Sequence, residues 1–145
     1  MFETSKYGSV KILKALIEGG VDVNAKRSNW FYDGSTALHI AARNDKHEFI
    51  QVLLDNNADV NACDAYGNTA LHYAVHFGNP NAAEMLLKHP KTDKHAKDIV
   101  GKTPFMCAVR YRNINMIKLF KKYSVVDFTV RDNSSNTALH HAVSG

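Results

Sequence analysis

The chain has 145 residues, 45% hydrophobic and 22% charged, with a formal net charge of +4, a composition that excludes disordered and fibrous classes. Apolar runs stay far short of the roughly 20 residues that span a bilayer, and residues 1–6 contain no signal-peptide hydrophobic block. The two cysteines, Cys63 and Cys107, have neither metal nor redox spacing, so a soluble cytoplasmic protein without a disulfide framework is expected, with the nucleus or a host cytosol as alternatives.

Residues 1–26 read as the end of a helical unit. Ile12, Leu13, Leu16 and Ile17 recur at helical spacing and Gly19-Gly20 follows as a left-handed stop. Phe2, Thr4 and Ser5 are expected to form a shortened helix ahead of it, as a degenerate cap or as the remainder of a longer protein cut here. The next stretch, Lys26-Arg27-Ser28-Asn29-Trp30-Phe31-Tyr32-Asp33, holds four extra residues: Asn24 to Thr36 is twelve positions, whereas Asn61 to Thr69 is eight. It contains the only tryptophan, and an exposed ring for a partner is expected there, the alternative being that Trp30 or Phe31 folds back to cover the neighbouring finger.

Thr36-Ala37-Leu38-His39 then starts a pattern that returns 33 residues later as Thr69-Ala70-Leu71-His72, 34 after that as Thr103-Pro104-Phe105-Met106, and 34 further on as Thr137-Ala138-Leu139-His140. In each copy the threonine suits the N-cap of a first helix, and Pro104 suits its first position. A breaker such as Gly78-Asn79-Pro80 separates this from a second amphipathic helix. Phe49, Ile50, Leu53 and Leu54 mark its buried side in one copy, Ala82, Ala83, Leu86 and Leu87 in the next, and Met116, Ile117, Leu119 and Phe120 in the third. Asp64-Ala65-Tyr66-Gly67 is a turn signal between units. The exit after Leu87, Lys88-His89-Pro90-Lys91-Thr92-Asp93, is one residue longer than its counterparts and is expected to differ in shape, and Ser124-Val125-Val126-Asp127-Phe128 departs similarly.

A period near 33 residues with this Thr-Ala/Pro-Leu-His core, paired leucines and an Ala58-Asp59-Val60-Asn61-Ala62 ending resembles the ankyrin repeat over essentially the whole chain. The resemblance implies an all-α solenoid of stacked helix-turn-helix units with projecting β-hairpin or turn fingers. The expected single domain, 1–145, divides into a partial repeat at 1–26, repeats at 33–65, 66–99 and 100–133, and a partial repeat at 134–145. It further implies that His39, His72 and His140 are structural, their imidazoles tying helix starts to fingers of neighbouring units.

In that family, finger and inner-helix positions on the concave face commonly contact partners. Carried over residue by residue, these are Trp30, Phe31, Tyr32 and Ser35 of the first finger with Arg43 and Asn44. The next unit contributes Ala65, Tyr66, Asn68, His76 and Phe77, and the third Ile99, Val100, Lys102, Arg110 and Tyr111. Large apolar side chains and arginine recur among them, as interface anchors do. Asn61 also resembles the ankyrin asparagines that an oxygen-sensing hydroxylase modifies.

No nucleophile elbow, phosphate-binding loop, zinc-protease motif or dinucleotide fingerprint occurs, so no enzyme activity is expected within these residues. His72 and His76 share a helix face, but no cysteine or carboxylate close in sequence completes a tetrahedral metal set, and neither metal nor cofactor is expected. Residues 88–131 hold eleven basic and three acidic side chains, while residues 1–87 hold seven and ten. No nucleic-acid docking motif accompanies the basic half, so nucleic acid and anionic lipid are not the expected partners. The reading is a monomeric protein-protein interaction module whose partner is unidentified, with no small-molecule substrate. The alternative is the targeting arm of a larger enzyme or adaptor, including a pathogen effector or host-range factor.

Overall fold

The apolar periodicity becomes eight helices among residues 2–28 and 34–144, the part of the chain that the computed structural model describes. They are α1 (Phe2–Glu18), α2 (Ala37–Arg43), α3 (His47–Asp55), α4 (Ala70–His76), α5 (Pro80–Lys88), α6 (Pro104–Arg110), α7 (Ile114–Lys122) and α8 (Ala138–Ser144). No strand occurs among the described residues, so the fingers are turns. None of these helices is long and apolar enough to cross a membrane.

Two layers result. The inner helices α2, α4, α6 and α8 stack in order, the outer helices α1, α3, α5 and α7 stack behind them, and each of α2, α4 and α6 packs on the outer helix that follows it. Seven-residue inner helices are too short to persist alone, so burial of their apolar sides holds them. Leu38, Leu71, Leu86, Leu87, Met106, Met116 and Phe120 are fully buried. Each such side chain contributes roughly 1.5–3 kcal/mol. The core is therefore a ribbon running the length of the stack, in which each unit contacts only its neighbours.

Thr36 and Thr69 adopt the extended backbone of an N-cap, and the backbone N–H of each donates to the Nδ1 of the histidine three residues on, at 3.0 and 3.2 Å. With Nδ1 accepting, the proton sits on Nε2, which donates to the next finger: His39 to the Asn68 carbonyl at 2.9 Å and His72 to the Lys102 carbonyl at 3.0 Å. One buried imidazole thus caps a helix and fastens the following unit. The third unit has Met106 at this position, and there Thr103 Oγ1 accepts from the Met106 N–H instead. His140 bonds Thr137 of its own unit.

Between paired helices the chain turns through a left-handed residue, Asp45, Gly78 or Arg112, at φ between 52° and 70°. The equivalent position in the first unit is Gly8, and here the expectation of a separate short helix fails: α1 continues unbroken from Phe2 to Glu18. Tyr7-Gly8-Ser9 lacks the asparagine or proline that reinforces the break elsewhere, so continued i to i−4 bonding satisfies the backbone. Asn57 and Ser124 leave the outer helices at φ 63° and 55°, whereas His89 leaves α5 extended, at φ −68° and ψ 126°. The longer exit does differ in shape. Thr92 Oγ1 closes it onto the Leu86 carbonyl at 2.6 Å.

The outer layer also accounts for part of the basic half. Glu84 on α5 accepts from Lys122 Nζ and Tyr123 Oη, both at 2.7 Å, which holds its carboxyl down at about 2, and Lys88 lies 3.8 Å away.

Candidate partner-binding face

The fingers repeat a single device. Asp64 Oδ1 accepts the N–H groups of Tyr66 and Asn68 at 2.8 Å, Asp98 Oδ1 those of Val100 and Lys102 at 3.0 and 2.8 Å, and Asp132 Oδ1 those of Ser134 and Asn136 at 2.9 and 2.8 Å. Each aspartate's backbone carbonyl also accepts from the N–H three residues on. A short polar side chain thereby replaces the missing partner strand. Neighbouring fingers then join directly: the Ile99 N–H donates to the Tyr66 carbonyl at 2.8 Å, and the Asn133 N–H to that of Val100 at 3.0 Å. Glycine permits this approach. A Cβ on Gly67, at φ 74°, would lie 2.9 Å from the Ile99 nitrogen.

Below the fingers an asparagine staple links the units. Asn24 donates to the Asn57 carbonyl and accepts from the Asp59 N–H, and Asn61 repeats this with the Lys91 carbonyl and the Asp93 N–H. Sequence reading found Asn61 through a modification motif and missed this mechanical role, although the repetition of Asp-Val-Asn was the available signal.

In the first finger, Arg27 N–H pairs with the Ser35 carbonyl and Gly34 N–H with that of Arg27, so the four extra positions fall between Arg27 and Gly34. Trp30, Phe31 and Tyr32 lie outside the described residues. Ser35, assigned to the concave surface from sequence, is fully buried at the base of the finger. It immediately precedes the buried cap Thr36, where there is no room for exposure.

The remaining positions gather into a stripe. Arg43 lies with its guanidinium carbon 5.0 Å from the centre of the Phe77 ring, Phe77 meets His76 edge to face at 4.9 Å, and His76 meets Tyr111 at 5.1 Å. Tyr111 Oη is also 2.8 Å from His76 Nδ1. Three successive inner helices, α2, α4 and α6, thus contribute to one continuous surface. The finger side chains Tyr66 and Ile99 stand above it, 52% and 64% exposed, with Phe77 and Tyr111 at 43% and 46%. Arg110 is exposed at the end of α6, without contact to these rings among the described interactions. Asn44 is exposed and bonds the Ile40 carbonyl, while Asn68 and Lys102 are half-buried because their carbonyls receive His39 and His72.

Tyr66, His76, Phe77 and Tyr111 surround a pocket of about 240 Å³, with Asp64, Tyr73, Asp98, Lys102 and Cys107 among its other lining residues. Burial, with the nearby Asp98 carboxylate, pushes the Cys107 thiol up to about 12. The thiolate is the reactive form, so Cys107 should resist maleimide labelling in the native protein at pH 7 and react once urea unfolds the chain. Rapid native labelling at that residue, read by peptide mass, would contradict this environment. Nucleophilic chemistry in the pocket has no support in such a thiol.

A family model described as ankyrin repeats (3 copies) matches residues 1–98 and again 90–145. The chain belongs to the ankyrin-repeat family. Among similar proteins, a putative ankyrin repeat protein of fowlpox virus (strain NVSL) is 35% identical over 86 residues, covering 59% of this chain and 25% of the viral protein. The serine/threonine-protein kinase 12 of Arabidopsis thaliana is 37% identical over 92 residues, 61% of this chain and 19% of the kinase. Protein phosphatase 1 regulatory subunit 12A of Mus musculus is 42% identical over 67 residues, 46% of this chain and 6% of that protein. The chain spans a quarter or less of the length of these relatives. Ankyrin repeats are generally protein-protein interaction modules, and such domains are typically without catalysis of their own.

Proposed function

We propose that this ankyrin-repeat chain acts as a monomer that binds a partner protein through its concave face, with Tyr66, Phe77 and Tyr111 as anchors flanked by Arg43, His76, Ile99 and Arg110. The observation that carries the reading is the stripe from Arg43 through Phe77 and His76 to Tyr111, continuous across three inner helices while its rings remain open to solvent. Preorganisation supplies the mechanism. Histidine, asparagine and finger bonds hold successive units in register before binding, which lowers the ordering cost of the interface. The unpaired thiols Cys63 and Cys107 favour a cytosolic setting.

The test is affinity capture from lysate with the parent beside a Tyr66→Ala, Phe77→Ala, Tyr111→Ala variant, circular dichroism confirming equal helicity. A hot-spot residue typically costs about 2 kcal/mol or more on truncation, and such residues are enriched in tyrosine, so a variant lacking all three anchors should lose its partner by about a hundredfold or more in affinity. A partner held equally by both proteins would move the site off this face.

A second reading, the recruiting arm of a larger enzyme or adaptor, is favoured by the relatives, in which the matching segment is 19% of a protein named as a kinase and 6% of one named as a phosphatase regulatory subunit. The mass of the endogenous polypeptide discriminates between the two.

A further inference from the structure

The three finger aspartates are alike in what Oδ1 does and unlike in what Oδ2 does. Asp64 Oδ2 accepts from Tyr73 Oη at 2.9 Å, and Asp132 Oδ2 lies 2.8 Å from His141 Nε2. Tyr73 and His141 occupy the same register, four residues after the cap threonine, and each reaches back nine residues to its finger. At that register the middle unit has Cys107. Its side chain is too short, and Asp98 Oδ2 carries no hydrogen bond among the described residues. Nor is this oxygen sealed from solvent, since His89 Nδ1 is the one fully buried side-chain nitrogen or oxygen without a partner among them.

This unclaimed oxygen belongs to a residue lining the concave pocket, whose walls include Tyr66, Phe77, His76 and Tyr111. Aromatic walls and one accessible carboxylate oxygen attract a cation from two directions, through the ring faces and through a charge-assisted hydrogen bond. At about 240 Å³ the pocket falls below the roughly 300–1,000 Å³ of small-molecule sites and suits a single long side chain. Lys102, the cation of the pocket itself, makes no ion pair with Asp98 among the described residues. Guanidinium fits better than ammonium, because its plane stacks on aromatic rings, as Arg43 does on Phe77 at the neighbouring edge.

We propose that this pocket is the specificity site of the concave face and receives an arginine side chain of the partner, the guanidinium bonding Asp98 Oδ2 between the rings of Tyr66 and Tyr111. The inference rests on the concave-face reading and adds to it the chemistry of what is bound.

The test uses acetyl-Gly-Arg-Gly-amide titrated into the isotopically labelled whole chain at pH 7.5, with the citrulline peptide as a neutral isostere. Saturable amide shifts at Tyr66, Asp98 to Lys102 and Tyr111 are expected, at least tenfold weaker with citrulline. Asp98→Asn should abolish the preference for arginine while its amide oxygen still accepts the finger N–H groups. Cys107→Tyr should do the same by supplying the phenol that Tyr73 supplies to Asp64. An absence of saturable shifts, equal binding of citrulline, or an unaltered preference in Asp98→Asn would overturn the proposal. A captured partner lost by the Tyr66, Phe77, Tyr111 variant but retained by Asp98→Asn would overturn the arginine pocket and leave the concave-face function standing.

Discussion

Replacing His72 by alanine is expected to lower folding stability by about 3 kcal/mol, because the imidazole serves two buried groups at once. Its loss leaves the Thr69 N–H without its acceptor and the Lys102 carbonyl with the Asp98 N–H of its own finger alone, so the bond between units is gone. His140→Ala provides the comparison. That residue is exposed and its side chain bonds only its own cap among the described interactions, so less than about 1 kcal/mol is expected. Urea unfolding of the two variants measures the difference, and equal losses would mean that the link between units contributes little.

The same histidines determine an acid limit. Burial pushes both His39 and His72 below the ordinary histidine value of 6.5. Between their depressed values and that value the unfolded chain binds more protons than the folded one, so stability is complete above about pH 6.5 and falls as pH is lowered. Geometry gives the same sign: a proton on Nδ1 would face the Thr69 N–H donor. His72→Ala should therefore show a shallower loss of stability below pH 6.5 than the parent.

The second large effect is expected at Gly67. Alanine there combines a left-handed backbone with a Cβ placed 2.9 Å from the Ile99 nitrogen and 3.1 Å from Asp98 backbone carbons. Gly78 has nearly the same conformation, φ 70° against 74°, but its nearest neighbour would be Asn113 Nδ2 at 3.6 Å. Gly78→Ala should cost about 1 kcal/mol, from backbone strain alone. Gly67→Ala should cost about 3 kcal/mol, since the fingers must separate or strain. Partner affinity should follow, because Tyr66 and Ile99 are displayed by the two fingers that this contact joins. Equal destabilisation by the two substitutions would show that the fingers are not held in contact.

Much of this molecule was legible because a repeat states its own register. The threonine caps, the apolar faces of the outer helices and the altered exit after Leu87 are local consequences of residue type and spacing, and local signals survive without knowledge of neighbours. The expected short first helix failed for the complementary reason: Gly8 falls at the register of a turn, but the residues around it do not compel one, and α1 runs through. Ser35 misled because exposure depends on what lies beneath a finger.

What the sequence determined by itself was therefore the family and the helical stack, both written at a fixed distance from a threonine. What only the tertiary structure decided was which of the concave positions act together. Arg43, His76, Phe77 and Tyr111 become one surface because residues about 33 apart lie side by side when inner helices stack. Asp98 differs from Asp64 and Asp132 through the side chains four and nine residues later: Asn68 with Tyr73, and Asn136 with His141, reach Oδ2 of their aspartates, whereas Lys102 and Cys107 make no such bond among the described residues. A distance of three or four positions along a helix can be read from the chain, but a hydrogen bond across a finger exists only once packing brings its two ends together.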